Sequence, residues 1–339
     1  MTVIEADAVL DAGGADFGNG LLLKLHAALD SLADEAVLEV RDAASSVPED
    51  LAAWCVLTGN TLVGPLLVRK GAIEAEDDVP PLGTRLWLYS NFDCNLACTY
   101  CCAESSPRAV ARRLPVDVVR SAVREFAAEG GSEVFVTGGE PFMHPELGDI
   151  AEAVIEHLPL TILTNGMIYQ RGTRRATLEA LDRERVTLQI SLDSATPALH
   201  DRSRGAGSFA RALAGIELAR SLGFRVRVAA TIDPADADEI GGLRELLTSE
   251  GIRDGDLVVR RVARQGFAEG GVVLTREDLA PEPTVAADGV WWHPVGVTDP
   301  TFKVRDSPLP IRAALDEIAR ILGEAETERD HIRHAFRCA

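Results

Sequence analysis

Cys94, Cys98 and Cys101 stand in a C-x3-C-x2-C spacing with Cys102 directly behind them, so four of the chain's six cysteines fall within nine residues. A disulfide scaffold spreads its cysteines along a short secreted chain; clustering of this kind in 339 residues points instead to a metal or cofactor site in a reducing compartment. Three thiolates in one loop can hold three irons of a cubane cluster and leave the fourth iron open to a small chelating ligand. A structural zinc site is normally closed by four ligands, often as two separated pairs, and the chain has no second C-x2-C to complete one. The adjacent thiol of Cys102 is expected to point away from the same cluster. The remaining cysteines, Cys55 and Cys338, lie far from the loop.

The elements that must position this loop follow from the hydrophobic pattern. Short apolar strands are predicted at Leu86–Ser90, Glu133–Val136, Leu160–Leu163, Val186–Leu192, Arg225–Ile232 and Asp256–Val262. Helical stretches at Val116–Glu129, Leu147–His157, Arg174–Arg183, Phe209–Leu222 and Ala237–Ser249 fall between them. Six strand–helix units with right-handed crossovers give an α/β fold, a partial (βα)6 parallel barrel over residues 86–262. Ligands of such folds sit beyond the C-terminal ends of the strands. The cysteine loop follows the first strand, Thr137-Gly138-Gly139-Glu140-Pro141 ends the second, Thr164-Asn165-Gly166 the third, and Ser191-Leu192-Asp193-Ser194 the fourth.

Taken together and in order, these strand ends resemble the radical S-adenosylmethionine (SAM) superfamily, in a GGEP-containing, MoaA/PqqE-like form. The resemblance implies that Cys94, Cys98 and Cys101 ligate one [4Fe–4S] cluster whose open iron chelates SAM. It implies that Gly138 and Gly139 let backbone approach the methionine moiety and that Glu140 offsets its ammonium charge. Asn165, Ser191 and Asp193 fall at SAM-pocket positions, Arg204-Gly205 resembles a recurrent R-G pair, and Tyr100 occupies the aromatic position that packs the adenine. The implied chemistry is one-electron cleavage of SAM, with the electron from a ferredoxin or flavodoxin, to a 5′-deoxyadenosyl radical that takes hydrogen from a substrate. Relatives with auxiliary clusters carry a d-G-x-x-x-P-C run; here Asp288-Gly289-Val290-Trp291-Trp292-His293-Pro294 lacks the cysteine, which implies a single cluster.

An acidic, proline-ended linker (73–85) separates the barrel from residues 1–72, predicted as a small two-layer α/β domain. Strands near Val3–Leu10, Ala36–Arg41 and Thr61–Arg69 and helices over Leu21–Ala33 and Pro48–Leu57 are expected there. This block resembles the TusA/SirA-like sulfur-carrier fold, with Phe17 where that family's carrier cysteine stands, which implies a degenerate docking or substrate-presenting module. Cys55 falls on an apolar helix face and reads as core. Residues 263–339 are expected to cap the barrel, with a hairpin over Thr284–Ala287 and Val290–Val297, packing from Trp291 and Trp292, and a helix at Ile311–Glu324. His293 and Cys338 are the catalytic candidates, and Arg260, Arg261 and Arg264 lie where they would face an anionic substrate or solvent.

Thirty-four Lys and Arg against 53 Asp and Glu leave a net charge of −19, which disfavours a nucleic-acid partner. There is no basic-then-apolar leader and no apolar run of membrane-spanning length, so a cytoplasmic protein with no membrane partner is expected. The leading expectation is a radical SAM enzyme acting on a small-molecule biosynthetic substrate. The alternatives are radical SAM modification of a peptide and a non-catalytic iron–sulfur or sulfur-trafficking adaptor.

Overall fold

The computed structural model describes residues 6–15, 21–33, 36–44, 47, 48, 51, 54, 55, 60–70, 84–233, 236 and 239–335. The chain forms two compact units, Met1–Pro80 and Pro81–Ala339.

In the first unit, β1 (Ala8–Asp11), β2 (Val37–Arg41), β3 (Thr61–Gly64) and β4 (Leu67–Arg69) make a sheet of order β1-β2-β4-β3. β1 and β2 are parallel and the other pairs antiparallel. The single strand expected over Thr61–Arg69 is instead a tight hairpin, because Gly64-Pro65 breaks it with a turn. Helix α1 (Leu21–Asp30) buries Leu21, Leu25 and Leu29, one residue per turn, on the sheet. Val47, Leu51, Trp54 and Cys55 are helical and buried in the same core, so Cys55 is a core thiol, pushed up to about 11 by burial. Phe17 lies outside the described residues.

In the second unit, β5 (Arg85–Asn91), β6 (Glu133–Gly138), β7 (Leu160–Thr164), β8 (Val186–Ser191), β9 (Arg225–Ile232) and β10 (Leu257–Arg261) pair in chain order, all parallel. Connecting helices are α2 (Val116–Ala128), α3 (Leu147–Ile155), α4 (Gly172–Ala180), α5 (Pro197–Arg204), α6 (Ser208–Ser221) and α7 (Ile240–Ser249). The alternation of side chains along each strand divides the sheet into two faces. Leu86, Leu88, Val134, Val136, Leu160, Ile162, Leu188, Ile190, Val226 and Val228 pack on the helices, α2 contributing Val119, Ala122, Val123 and Phe126 at helical spacing. Trp87, Tyr89, Phe135, Thr137, Leu163, Gln189, Ser191, Arg227, Val258 and Arg260 line one shared cavity on the other face, as a partial barrel requires. Helix α5 was not expected from the pattern; Pro197 starts it at a position where a missing N–H costs nothing.

The C-terminal segment, expected as a cap, extends the barrel sheet at β5 and lines the cavity through Leu279, Glu282 and His293. β11 (Thr284–Ala286) pairs in parallel with β5, with Thr284 opposite Trp87, and β12 (Gly289–Trp291) and β13 (Lys303–Arg305) continue the sheet antiparallel. The tail therefore covers the ladder groups that β5 would otherwise leave open as an edge strand. The hairpin's second arm ends at Trp291, short of Val297, because a 3-10 turn begins at Pro294. Trp291 and Trp292 are buried among Tyr89, Phe92, Ala286, Val297 and Phe302, behind the cysteine loop. The last helix, α8, runs Ile311–Ala335 and buries Ile311, Ala314, Leu315 and Ile318. Among the described residues, no helix is long and apolar enough to cross a membrane.

Candidate active site

The shared cavity encloses about 560 Å³ and takes in the C-terminal strand ends. Cys94, Cys98 and Cys101 all line it, with Tyr100, Gly138, Gly139, Asn165, Ser191, Arg204 and His293. Among the described residues no three His, Cys, Asp or Glu groups converge on a single-ion site. Burial pushes the Cys94 thiol up to about 12, with Glu140 and the other two thiols adding to it. Burial raises Cys98 as well, against the pull of Arg204.

The loop is held from three sides. The glycines of strand end β6 clamp its entry: Gly139 N–H donates to Asn91 O at 2.8 Å and Glu140 N–H to Asp93 O at 3.0 Å. A Cβ on Gly139 would stand 2.2 Å from Asp93 O, and Gly138 has φ +139° with Asn91 O where its Cβ would go. Thr99 N–H donates to Ser203 O on α5. From the tail, Phe267 N–H donates to Cys101 O and the Thr298 hydroxyl to Cys102 O. Cys102 also lines the cavity. Burial pushes it up to about 12.

Glu140 sits behind the cavity wall rather than along it. Its carboxylate is fully buried and accepts from Thr164 Oγ1 (2.7 Å), Asn165 N–H (2.8 Å) and Phe142 N–H (3.1 Å), which ties the second strand end to the third. Asn165 in turn donates through Nδ2 to Asn95 Oδ1 in the cysteine loop, at 2.8 Å. Asp193 is also occupied by protein: Arg204 donates to it twice, Tyr100 OH once, and Thr231 N–H at 3.0 Å. It thus fixes Arg204 and Tyr100, whose ring lies 5.4 Å from that guanidinium, at the cavity. The backbone N–H of Asp193 donates to Nδ1 of the buried His200.

His293 lines the cavity, and burial, then Arg260, lower its pKa to about 4, so it is neutral at pH 7. Its Nδ1 accepts from Val295 N–H. Cys338 lies outside the described residues. Several site residues escaped the sequence reading: Trp87, stacked on Phe135 at 4.6 Å; Arg85, paired with Glu133 and Glu282; and Gln189 and Arg227 on the inner face. Their signal was a polar or aromatic residue at every second position of an otherwise apolar strand.

Residues 89–246 match the radical SAM superfamily. A subtilosin biosynthesis protein, AlbA, from Bacillus subtilis is 28% identical over 217 residues, 61% of this chain and 47% of that protein. An AdoMet-dependent heme synthase from Methanosarcina barkeri is 31% identical, covering 45% of this chain and 44% of its own length. A PqqA peptide cyclase from Ruegeria pomeroyi is also 31% identical, covering 47% and 42%. The chain thus spans less than half the length of these curated relatives. The solved structure of native anSMEcpe with bound AdoMet shares the fold, with a TM-score of 0.54 over 68% of this chain and 79% of that one, at 14% identity.

The residues present suit a cluster and SAM. Cys94 and Cys98, whose thiols are pushed up by burial and by the neighbouring sulfurs, stand with Cys101 as a donor set that gains from cations placed among them. Beside them the cavity offers peptide backbone at Gly138 and Gly139, the Asn165 and Ser191 side chains, and a guanidinium. Residues 89–246 are thus similar to the radical SAM superfamily, whose cofactors are a [4Fe–4S] cluster and S-adenosylmethionine.

Proposed function

We propose that the chain is a radical SAM enzyme that modifies a peptide. The observation that carries the catalytic reading is the intact trio Cys94, Cys98 and Cys101 opening into a cavity walled by all six parallel strands. Bound there, the cluster supplies one-electron cleavage of SAM and hydrogen-atom abstraction from a substrate. Three thiols hold the cluster; the Gly138–Gly139 backbone, Asn165 and Ser191 orient SAM; Arg204, fixed by Asp193, faces its charged end. Trp87, Phe135 and Leu163 give the deeper wall an apolar surface that excludes water from the reacting groups. A ferredoxin or flavodoxin is the proposed electron donor, and the first unit is proposed to dock a partner or the substrate.

The peptide is favoured over a small molecule by two relatives, one in bacteriocin biosynthesis and one named a peptide cyclase. The similarity to a heme synthase keeps a small-molecule substrate as the second reading. Anaerobic reconstitution with iron and sulfide, then reduction with SAM, tests the class: a brown chromophore and 5′-deoxyadenosine are expected, and both are lost in Cys98→Ala. Short peptides encoded beside the gene then test the substrate. A mass change in one of them supports the peptide reading, and turnover of only a small metabolite supports the second.

A further inference from the structure

The inner wall carries polar donors that no protein group satisfies. Gln189 on β8 and Arg227 on β9 are register partners across the parallel ladder, both facing the cavity. Gln189 is 1% exposed, yet its Nε2 has no hydrogen-bond partner, and neither has the buried Nε of Arg227. Buried polar groups in native proteins are nearly always paired, and an unpaired cationic donor is costlier than a neutral one. Arg260, on the next strand, lines the same cavity and has no ion pair among the described residues. Much of its surface is exposed, but desolvation of the part at the cavity lowers its pKa; Cys102 and Glu282 oppose this and the nearby charge of Arg227 adds to it.

Of the other cavity arginines, Arg261 lines the wall beside Arg260, with no ion pair among the described residues, and the remaining two are engaged. Arg85 is paired with Glu133 and Glu282, and Arg204 with Asp193. In a chain with 53 acidic residues and 34 basic ones, Arg227, Arg260 and Arg261 face the cavity without an ion-paired carboxylate, Glu282 being held by Arg85, and they mark a place where an anion is brought in. An amide N–H beside a guanidinium N–H on neighbouring strands, about 4.8 Å apart, suits two oxygens of a planar carboxylate.

We propose that Gln189, Arg227 and Arg260 form a carboxylate-recognition subsite for the substrate, which rests on the peptide reading above. The carboxylate comes from an acidic side chain or from a peptide C-terminus. Arg204, which faces the cysteine loop through Tyr100, is the group left for the carboxylate of SAM.

The test is binding without turnover. Cluster-loaded protein with SAM, unreduced and anaerobic, is titrated calorimetrically with N-acetyl-Gly-Glu-Gly-amide, N-acetyl-Gly-Gly-Gly carboxylate and the neutral N-acetyl-Gly-Gln-Gly-amide. One of the two charged peptides is expected to bind at least about tenfold tighter than the neutral one, and which one identifies the source. That preference is expected to disappear in Arg227→Met and, as a variant at a largely exposed position, in Arg260→Gln, with SAM affinity unchanged. Equal affinities, no saturable binding, or a loss of SAM binding in these variants would overturn the subsite. Since no catalysis is read, failure here leaves the 5′-deoxyadenosine result untouched.

Discussion

Asp193 and Arg204 form a two-point ion pair, Nε to Oδ2 at 2.6 Å and Nη2 to Oδ1 at 3.0 Å, with each side chain only about a tenth exposed: 9% and 10%. Burial by itself would raise the Asp193 pKa, but Arg204, Thr231 N–H and Tyr100 together hold it below the usual carboxylate range. Asp193→Asn leaves a buried guanidinium without its counter-charge and is expected to cost about 3 kcal/mol in urea unfolding. SAM affinity is expected to fall about tenfold, because Arg204 and Tyr100 lose their fixed placement. The folded pKa is depressed, so the stability from this pair is present above the unfolded value and lost as pH falls through the folded one. The variant should therefore show a flatter acid limb than the parent below about pH 4. Parallel acid limbs would contradict this account.

Gly138 and Gly139 are required by the chain that crosses them before any cofactor is considered. Gly138→Ala meets Asn91 O at 2.3 Å at φ +139°, and Gly139→Ala meets Asp93 O at 2.2 Å. Both obstacles are backbone, and neither can rotate away. Each variant is expected to lose about 3 kcal/mol or more, seen as a lowered unfolding midpoint in protein that has never been given iron. Gly148→Ala, where no atom stands within 4 Å, is the control expected to stay near the parent.

The four clustered thiols divide into three and one. Cys102 lines the cavity but falls outside the C-x3-C-x2-C spacing. Cys102→Ala is expected to retain the iron content and visible absorbance of the reconstituted protein, whereas Cys94→Ala, Cys98→Ala and Cys101→Ala each lose most of both. Iron loss in Cys102→Ala equal to that in Cys98→Ala would make it a ligand.

The six parallel strands and the residues at their ends were legible because each strand is a short apolar run closed by glycine, asparagine or aspartate. The tail was not, since Thr284–Ala286 is three residues long and its partner, β5, lies nearly 200 positions upstream; pairing at that separation leaves no local periodicity. At the site, residue types are legible in the sequence and the directions of their side chains are not. Glu140 and Asp193 read as cofactor contacts, but their carboxylates are spent on Thr164, Asn165, Arg204 and Thr231, and burial of a side chain is decided by neighbours that spacing does not reveal. Gln189 falls inside the strand expected over Val186–Leu192 with no role assigned to it, although a polar residue facing inward is visible in the alternation.

Glu140 offers a pH test of opposite sign to Asp193. Desolvation is the largest influence and carries its pKa up to about 6, against donors at Asn165, Thr164 and Phe142 that pull it down. A carboxyl whose folded pKa lies above its unfolded value of about 4.5 favours the fold when protonated. That contribution is complete below the unfolded value and is lost as pH rises through about 6. The shift corresponds to about 2 kcal/mol. Glu140→Gln does not titrate, so the stability of the parent relative to the variant is expected to fall by that order between pH 4 and pH 7.5, against the trend of an ordinary salt-bridged acid. Paired urea titrations at the two pH values give the difference directly. A gap that stays constant, or one that widens in the parent's favour as pH rises, would show that the hydrogen bonds from Thr164, Asn165 and Phe142 outweigh desolvation at this carboxylate.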